Sequence, residues 1–346
     1  TLDVPFYLDD FVNISENLAI QDFGDPGKIV DYSPPRAFGF FTLAANYALH
    51  GESVAGYHLV NILIHLLSGI AVFTLLRGLM LAPATRRSGA DGLMQWLPLV
   101  VALVFVLHPL QTQAVTYIVQ RFASLAALLY LASLASYVWG RITRRPAFYV
   151  GVVGFGALAV LTKQNAITLP FALLLIELLF FRELPAARRW WIPAGVLLLV
   201  LAAVGLLQID AVDRLTRETA DISRIDYLAT QMEVLWRYVS LVYYPVGLRV
   251  EYDLPLQSGF SDSGVWLALA GHLALILLAF SVWSRLPFIA FGILFFYLSH
   301  AVESGIIPIR DIVFEHRMYL PMLGIATATV AALLRLAQRF VVPRAV

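Results

Sequence analysis

The chain has 346 residues, 60% apolar and 14% charged, with a mean hydropathy of +0.78, against roughly 45–50% apolar and about 25% charged in a soluble domain. These proportions exclude a soluble globular enzyme and indicate a polytopic, all-α membrane protein whose helices have lipid as their solvent. A formal net charge of +1 argues against a nucleic-acid partner, which needs a clustered basic excess, and the lack of cysteine excludes a disulfide framework.

The chain opens at Thr1 on a polar stretch with no signal-peptide pattern, so a fragment or a processed chain is expected. Residues 1–55 read as a first extracytoplasmic loop with an Asp-Asp motif and an interfacial helix. Residues 56–346 read as a transmembrane bundle of about nine spans, with an outer loop at 208–264. The spans are predicted near Tyr57–Leu79, Trp96–His108, Phe122–Gly140, Phe148–Leu161, Thr168–Phe181, Trp190–Leu207, Val265–Trp283, Leu286–Leu298 and Tyr319–Leu336. Trp96, Trp139, Trp190, Trp191 and Trp283 fall at span ends, where an interfacial aromatic belt places them.

Basic residues concentrate in alternate loops, among them Arg86, Arg87, Arg144, Arg145, Arg188 and Arg189, with Asp91 and Glu183 the only acids beside them. Basic loops stay cytoplasmic, so the acidic set of loops faces outward and any chemistry belongs there. This topology requires 208–264, including the apolar stretch Tyr227–Leu248, to begin and end outside as a reentrant or interfacial helix. No internal repeat of 20 to 50 residues is present.

Ionisable groups at the ends of membrane spans are expensive, and five clusters stand out on that ground. Asp9 and Asp10, set among Phe6, Tyr7, Leu8 and Phe11, have the character of a general base in a partly dry pocket; a solvated acidic loop anchored by aromatics is the other reading. His108, Pro109, Gln111 and Gln113, followed by Arg121, group polar side chains at one depth, either for an anionic headgroup or as a capped helix end with a snorkelling arginine. Lys163, one of two lysines in the chain, sits in a polar hinge, Thr162 to Asn165, as a point charge for a lipid phosphate or as an outer-surface turn.

The densest cluster runs from Glu303 through Arg310 and Asp311 to Glu315, His316 and Arg317. Its two arginines and histidine suit a phosphate ligand, and a structural ion-pair network would also account for them. The charges from Asp213 to Asp253 alternate in sign and read as a solvated surface or a substrate-gating loop. Gly24 to Lys28 lacks phosphate-loop spacing and reads as a turn; Asn13-Ile14-Ser15 is a sequon of the kind that occurs by chance. His58 and His65 share a helical face without a third metal ligand, and Glu177 lies inside a span, for packing or for a proton path.

Taken in order, the Asp-Asp motif, Tyr57-His58-Leu59-Val60-Asn61, His108-Pro109 through Arg121, Lys163-Gln164-Asn165, Tyr244-Pro245-Val246-Gly247-Leu248, Glu303-Ser304 and the Phe314–Pro321 run resemble one family. That family is the GT-C fold glycosyltransferases of the transmembrane and tetratricopeptide-repeat O-mannosyltransferase type, particularly their bacterial relatives. The resemblance implies a GT-C-like membrane enzyme of the bacterial inner membrane. It would take a sugar such as mannose from a polyprenyl-phosphate donor and transfer it, with inversion and on the periplasmic side, to an acceptor hydroxyl, protein Ser/Thr first and lipid or glycan second.

It further implies Asp9 and Asp10 as catalytic residues, Arg121, Lys163, Arg310, His316 and Arg317 as ligands of the donor phosphate, and His108, Gln111, Glu303 and Glu315 in support. No cofactor is certain; Asp9, Asp10 and Glu303 carry oxygens suited to a divalent cation if the reaction uses one. Similar proteins have a helix before the Asp-Asp loop and a further helix and repeat domain after the last span, so this chain is expected to be trimmed at both ends. A transporter, which would place its charges near the bilayer midplane, and a noncatalytic structural subunit are the non-enzyme alternatives.

Overall fold

The structure is a computed structural model and describes residues 2–87, 92–182, 195 and 219–341. Ten longer helices build it: α1 (Ala37–His50), α2 (Val54–Met80), α3 (Leu97–Leu107), α4 (Arg121–Thr143), α5 (Ala147–Val160), α6 (Leu169–Phe180), α7 (Arg224–Tyr243), α8 (Ser263–Val282), α9 (Pro287–His300) and α10 (Met322–Val341). Short helical turns fill most of the connections, and no strand occurs among the described residues. The all-α membrane architecture expected from composition is the one found.

Among the described residues, three helical stretches are long and apolar enough to cross a membrane: Val54–Met80, Ile118–Thr143 and Ser263–Val282. Gly92–Leu107 and Pro109–Thr116 qualify together as a pair bent by 55°, and Ala147–Val160, Gln164–Phe180 and Pro287–His300 are apolar but shorter. The bend has a local cause. His108 precedes Pro109 and takes the extended conformation a pre-proline residue prefers (φ −73°, ψ 128°), which ends α3. Of the other expected spans, Tyr319–Leu336 corresponds to α10, while Trp190–Leu207, with Trp190 and Trp191, lies outside the described residues apart from Gly195, as do Arg188, Arg189, Asp91, Glu183 and Asp213.

Packing closes a ring. α2 lies against α4 and α3, α4 against α5 and α6, α6 against α9, α9 against α10, and α10 against α3; α8 joins α9 from outside and carries α7. One apolar core, including Leu75, Leu134, Leu173, Phe291 and Leu323, fills the ring. Glu177, costly inside a span if unpaired, takes a bidentate contact from Arg141 (2.8 and 3.1 Å) and the Tyr137 hydroxyl (2.6 Å), which clips α6 to α4. His65 is likewise structural, bonded to Tyr319 Oη (2.8 Å) and the Val106 carbonyl (3.0 Å). The segment expected to be reentrant or interfacial is α7, an amphipathic helix outside the long apolar set, capped by Ser223 and buried along Tyr227, Gln231, Val234 and Tyr238.

At the α9–α10 crossing two glycines bring the backbones into contact. A Cβ on Gly292 would stand 2.4 Å from the Gly324 carbonyl oxygen, and one on Gly324 2.5 Å from that of Gly292. Backbone cannot yield as a side-chain end can, so Gly292→Ala is expected to cost about 1–3 kcal/mol as overpacking. Gly154→Ala, where the new methyl meets nothing within 4 Å, is expected to be neutral or stabilising by up to about 1 kcal/mol through helix propensity. Unfolding of both variants in detergent checks the contrast.

Candidate active site

The Asp-Asp motif divides its labour. Asp10 is fully buried, and its Oδ1 accepts from the Val119 N–H (2.7 Å) while Oδ2 accepts from Tyr7 N–H (3.3 Å). Burial lifts the Asp10 carboxyl to about 6, against the pull of those N–H groups and with Asp9 adding to the rise. The Asp9 side chain is exposed, and its N–H donates to Tyr117 Oη (2.9 Å), whose ring stacks on Tyr7 at 4.5 Å. Leu8 precedes the motif at φ +49°, a strained left-handed conformation of the sort that gathers at functional sites.

Behind the motif stands a polar node. Asn61, on α2, donates through Nδ2 to the Val115 and Ile118 carbonyls (both 3.2 Å) and accepts Arg121 Nε through Oδ1 (2.7 Å). Arg121 gives its other nitrogens to the Thr42 and Tyr57 carbonyls (both 3.1 Å) and is fully buried. The Arg121 guanidinium, expected at a phosphate, is committed here to protein acceptors that fix the 115–121 turn, onto which Asp10 fastens.

A second assembly joins four separated stretches. Lys163, in the turn between α5 and α6, places Nζ 2.6 Å from Glu303 Oε1, in the turn after α9; the two side chains are 11% and 9% exposed. Burial opposes the charge of Glu303, yet Lys163 and Arg317 hold its carboxyl below the ordinary range. Arg317 donates to the Asp311 (2.6 Å) and Ile312 (3.2 Å) carbonyls and lies against the Phe314 ring. Arg36, from the first loop, has its guanidinium 5.6 Å from the Phe122 ring centroid and feels the charges of Glu303 and Asp9; that guanidinium makes no hydrogen bond among the described residues. His316 is 7% exposed; burial, reinforced by Lys163, Arg317 and Arg36, holds its imidazole well below the ordinary value, so it is neutral. The Ser304 hydroxyl, beside Glu303, is buried without a partner.

The remaining expected residues serve the scaffold. His108 accepts Leu110 N–H at Nδ1 (3.2 Å) and bonds the Val242 carbonyl through Nε2 (2.9 Å); Gln111 Nε2 reaches the Tyr319 carbonyl at 3.5 Å. Glu315 accepts from Arg249 N–H (2.6 Å) and Tyr252 Oη, which fastens the loop after α7. Arg310 does not join the cluster either: it pairs at the surface with Asp221 (3.6 Å), its side chain 69% exposed. No group of three or more His, Cys, Asp or Glu among the described residues is arranged to hold a metal ion, and His58, bonded to the Val4 carbonyl (2.9 Å), has a structural role.

Sequence reasoning missed Arg36 and the brace supplied by α7. Arg36 is the first arginine in the chain and follows two prolines, but a lone arginine in a polar loop gives little warning. Tyr227 Oη donates to the Glu303 carbonyl (2.7 Å), Gln231 Nε2 to that of Ile312 (3.1 Å) and Tyr238 Oη to that of Phe314 (3.0 Å). Helical spacing puts these three on one face, and that regular pattern of buried polar residues was the available signal.

No model of a protein family matches the chain, and no solved structure matches it. Two curated relatives do, both from Drosophila melanogaster. "Protein O-mannosyl-transferase Tmtc3" is 32% identical over 131 residues, 35% of this chain and 14% of the relative. "Protein O-mannosyl-transferase Tmtc1" is 31% identical over 123 residues, 36% of this chain and 13% of the relative. The matches thus span about a seventh of those proteins' lengths.

Two outcomes follow for stability. Lys163→Ala strands a buried carboxylate and is expected to cost about 3–5 kcal/mol, whereas Lys163→Met combined with Glu303→Leu is expected to cost much less; a double-mutant cycle on unfolding checks this. The folded state holds the Asp10 proton more tightly than the unfolded chain does. From about pH 6 down to about pH 4, Asp10 therefore makes the protein more stable as pH falls, and above about pH 6 its burial cost is fully present. Asp10→Asn should remove that increment from the pH profile of unfolding.

Proposed function

We propose that this chain is a membrane glycosyltransferase that moves mannose from a polyprenyl-phosphate carrier to a protein Ser or Thr hydroxyl, on the extracytoplasmic face of a bacterial cytoplasmic membrane. The observation that carries the reading is the buried Lys163–Glu303 pair, with Arg317 and Arg36 in the field of the same carboxylate and Asp9 in that of Arg36, all from loops that the charge bias assigns to one side. The relatives, named as protein O-mannosyl-transferases, supply the sugar and the acceptor class.

The chemistry suits these groups. Three cations against two carboxylates leave one positive charge, which the single negative charge of a sugar–lipid phosphodiester balances. The acceptor oxygen attacks the anomeric carbon, and the bond from that carbon to the phosphate oxygen breaks. Its electron pair leaves with the lipid phosphate, whose growing charge Arg36, Lys163 and Arg317 stabilise. Asp9, the exposed carboxylate of its motif, takes the hydroxyl proton, and Asp10 fastens the motif to the turn at Val119. A single in-line displacement of this type inverts the anomeric centre.

Purified protein in lipid, given radiolabelled mannosyl polyprenyl phosphate and a Ser/Thr peptide, is expected to transfer label. Asp9→Asn should lower kcat by about 10²- to 10⁴-fold with donor binding kept, and Arg36→Ala should raise the donor KM about tenfold or more through loss of a charge-assisted contact. Wild-type protein that transfers from no polyprenyl donor would overturn the reading.

A further inference from the structure

The His316 side chain sits where a phosphate ligand was expected, yet its chemistry differs from that of the cations around it. Its tautomer is set by Gln113, in the short helix Thr112–Thr116. Gln113 Nε2 donates to the Val250 carbonyl (2.8 Å), and Gln113 Oε1 accepts the backbone N–H of His316 (2.6 Å). Reversing the amide would set N–H against N–H and carbonyl against carbonyl, so the backbone fixes its orientation. His316 Nδ1 stands 3.2 Å from that same Oε1, an atom that only accepts, and must therefore carry the proton.

In the neutral ring Nε2 is then left with its lone pair. Phe314, stacked on the imidazole at 5.0 Å, holds the ring plane, and Nε2 makes no hydrogen bond among the described residues. His316 is 7% exposed and Nε2 is not among the fully sealed polar atoms, so its lone pair is not shut off from the surface. A second proton on this ring would add a charge beside Lys163, Arg317 and Arg36. A phosphate diester oxygen brings no proton to share, so a lone pair here gains nothing from it. A hydroxyl brings one.

The geometry points to His316 as the acceptor, through Nε2, of a hydrogen bond from a substrate hydroxyl, with Gln113 as the positioning residue that keeps this tautomer. The inference rests on the glycosyltransferase reading, in which two such hydroxyls come close to the phosphate: one on the transferred sugar, one on the acceptor. His316 then reads substrate identity while the neighbouring cations hold charge. A site built to accept from a hydroxyl discriminates sharply against the analogue that lacks it.

The test uses the purified full chain in detergent, a short-chain polyprenyl phosphate carrying mannose, and the four donors that lack the 2-, 3-, 4- or 6-hydroxyl of that sugar. For the wild type, one deoxy donor is expected to bind about tenfold or more weakly than its parent. That gap should close in His316→Phe, which keeps an aromatic ring without an acceptor, persist in His316→Gln, and shrink in Gln113→Leu. If His316→Phe fails to fold, the comparison of His316→Gln with Gln113→Leu decides by itself. Should the donor gaps survive these changes while the KM for the Ser/Thr peptide rises about tenfold in His316→Phe or Gln113→Leu, the hydroxyl belongs to the acceptor. Donor gaps and peptide KM both unmoved would overturn the role of His316 and leave the transferase reading standing. A parent donor that does not bind the wild type would overturn that reading, and this inference with it.

Discussion

The buried pair of Lys163 and Glu303 is the constraint on which the site depends. It joins the turn between α5 and α6 to the turn after α9 across 2.6 Å, in surroundings that exclude nearly all water from both side chains. Such a pair roughly breaks even against its own desolvation, so it adds little net stability, yet neither member can be left alone there. Its consequence is positional. Once the pair is made, Arg317 and Arg36 come into the field of the same carboxylate, and Asp9 into that of Arg36. The excess of positive charge that results is a local frustration of the type that persists where a ligand completes the balance.

Holding those charges still requires irregular backbone next to apolar helices, and irregular backbone must have its carbonyls satisfied without water. The segment from Glu303 to Phe314 meets that condition through side chains. Tyr227, Gln231 and Tyr238 on α7 take the carbonyls of Glu303, Ile312 and Phe314, and Arg317 takes those of Asp311 and Ile312. On the other flank Asn61 does the same for Val115 and Ile118, and Arg121 ties the start of α4 to α1 and α2 through the Thr42 and Tyr57 carbonyls. Each loop of the site is thus braced by a helix that itself contributes no reactive group.

The helical class was legible because long apolar runs admit few other structures, and α2 matches its expected span closely for that reason. Lys163, Glu303, His316 and Arg317 were legible because ionisable groups in apolar sequence are expensive enough to signal a purpose. Arg121 sent the same signal, but sequence does not show whether the partner of a buried cation is a ligand or the protein's own acceptors, and in the structure it meets the latter. Arg36 sent none, lying in a polar loop where an arginine costs nothing. The role of Gln113 was hidden for a further reason: its effect on His316 exists only once residues 203 positions apart in sequence meet.

Three arginines illustrate how commitment of hydrogen-bond donors separates structure from function. Each guanidinium has five N–H donors in a rigid fork. Arg121 spends all three of its nitrogens on protein acceptors and is sealed, so an incoming anion would have to break existing bonds to reach it. Arg317 spends both terminal nitrogens on carbonyls, which fixes its plane in advance and lets its charge act through a short distance without reorganisation. Arg36 has spent nothing among the described residues, and its guanidinium lies against the Phe122 ring. In the proposed transfer, a leaving group whose charge grows during reaction would be served by the last two together, one already fixed and one uncommitted, while the first keeps the turn beneath Asp10 in place.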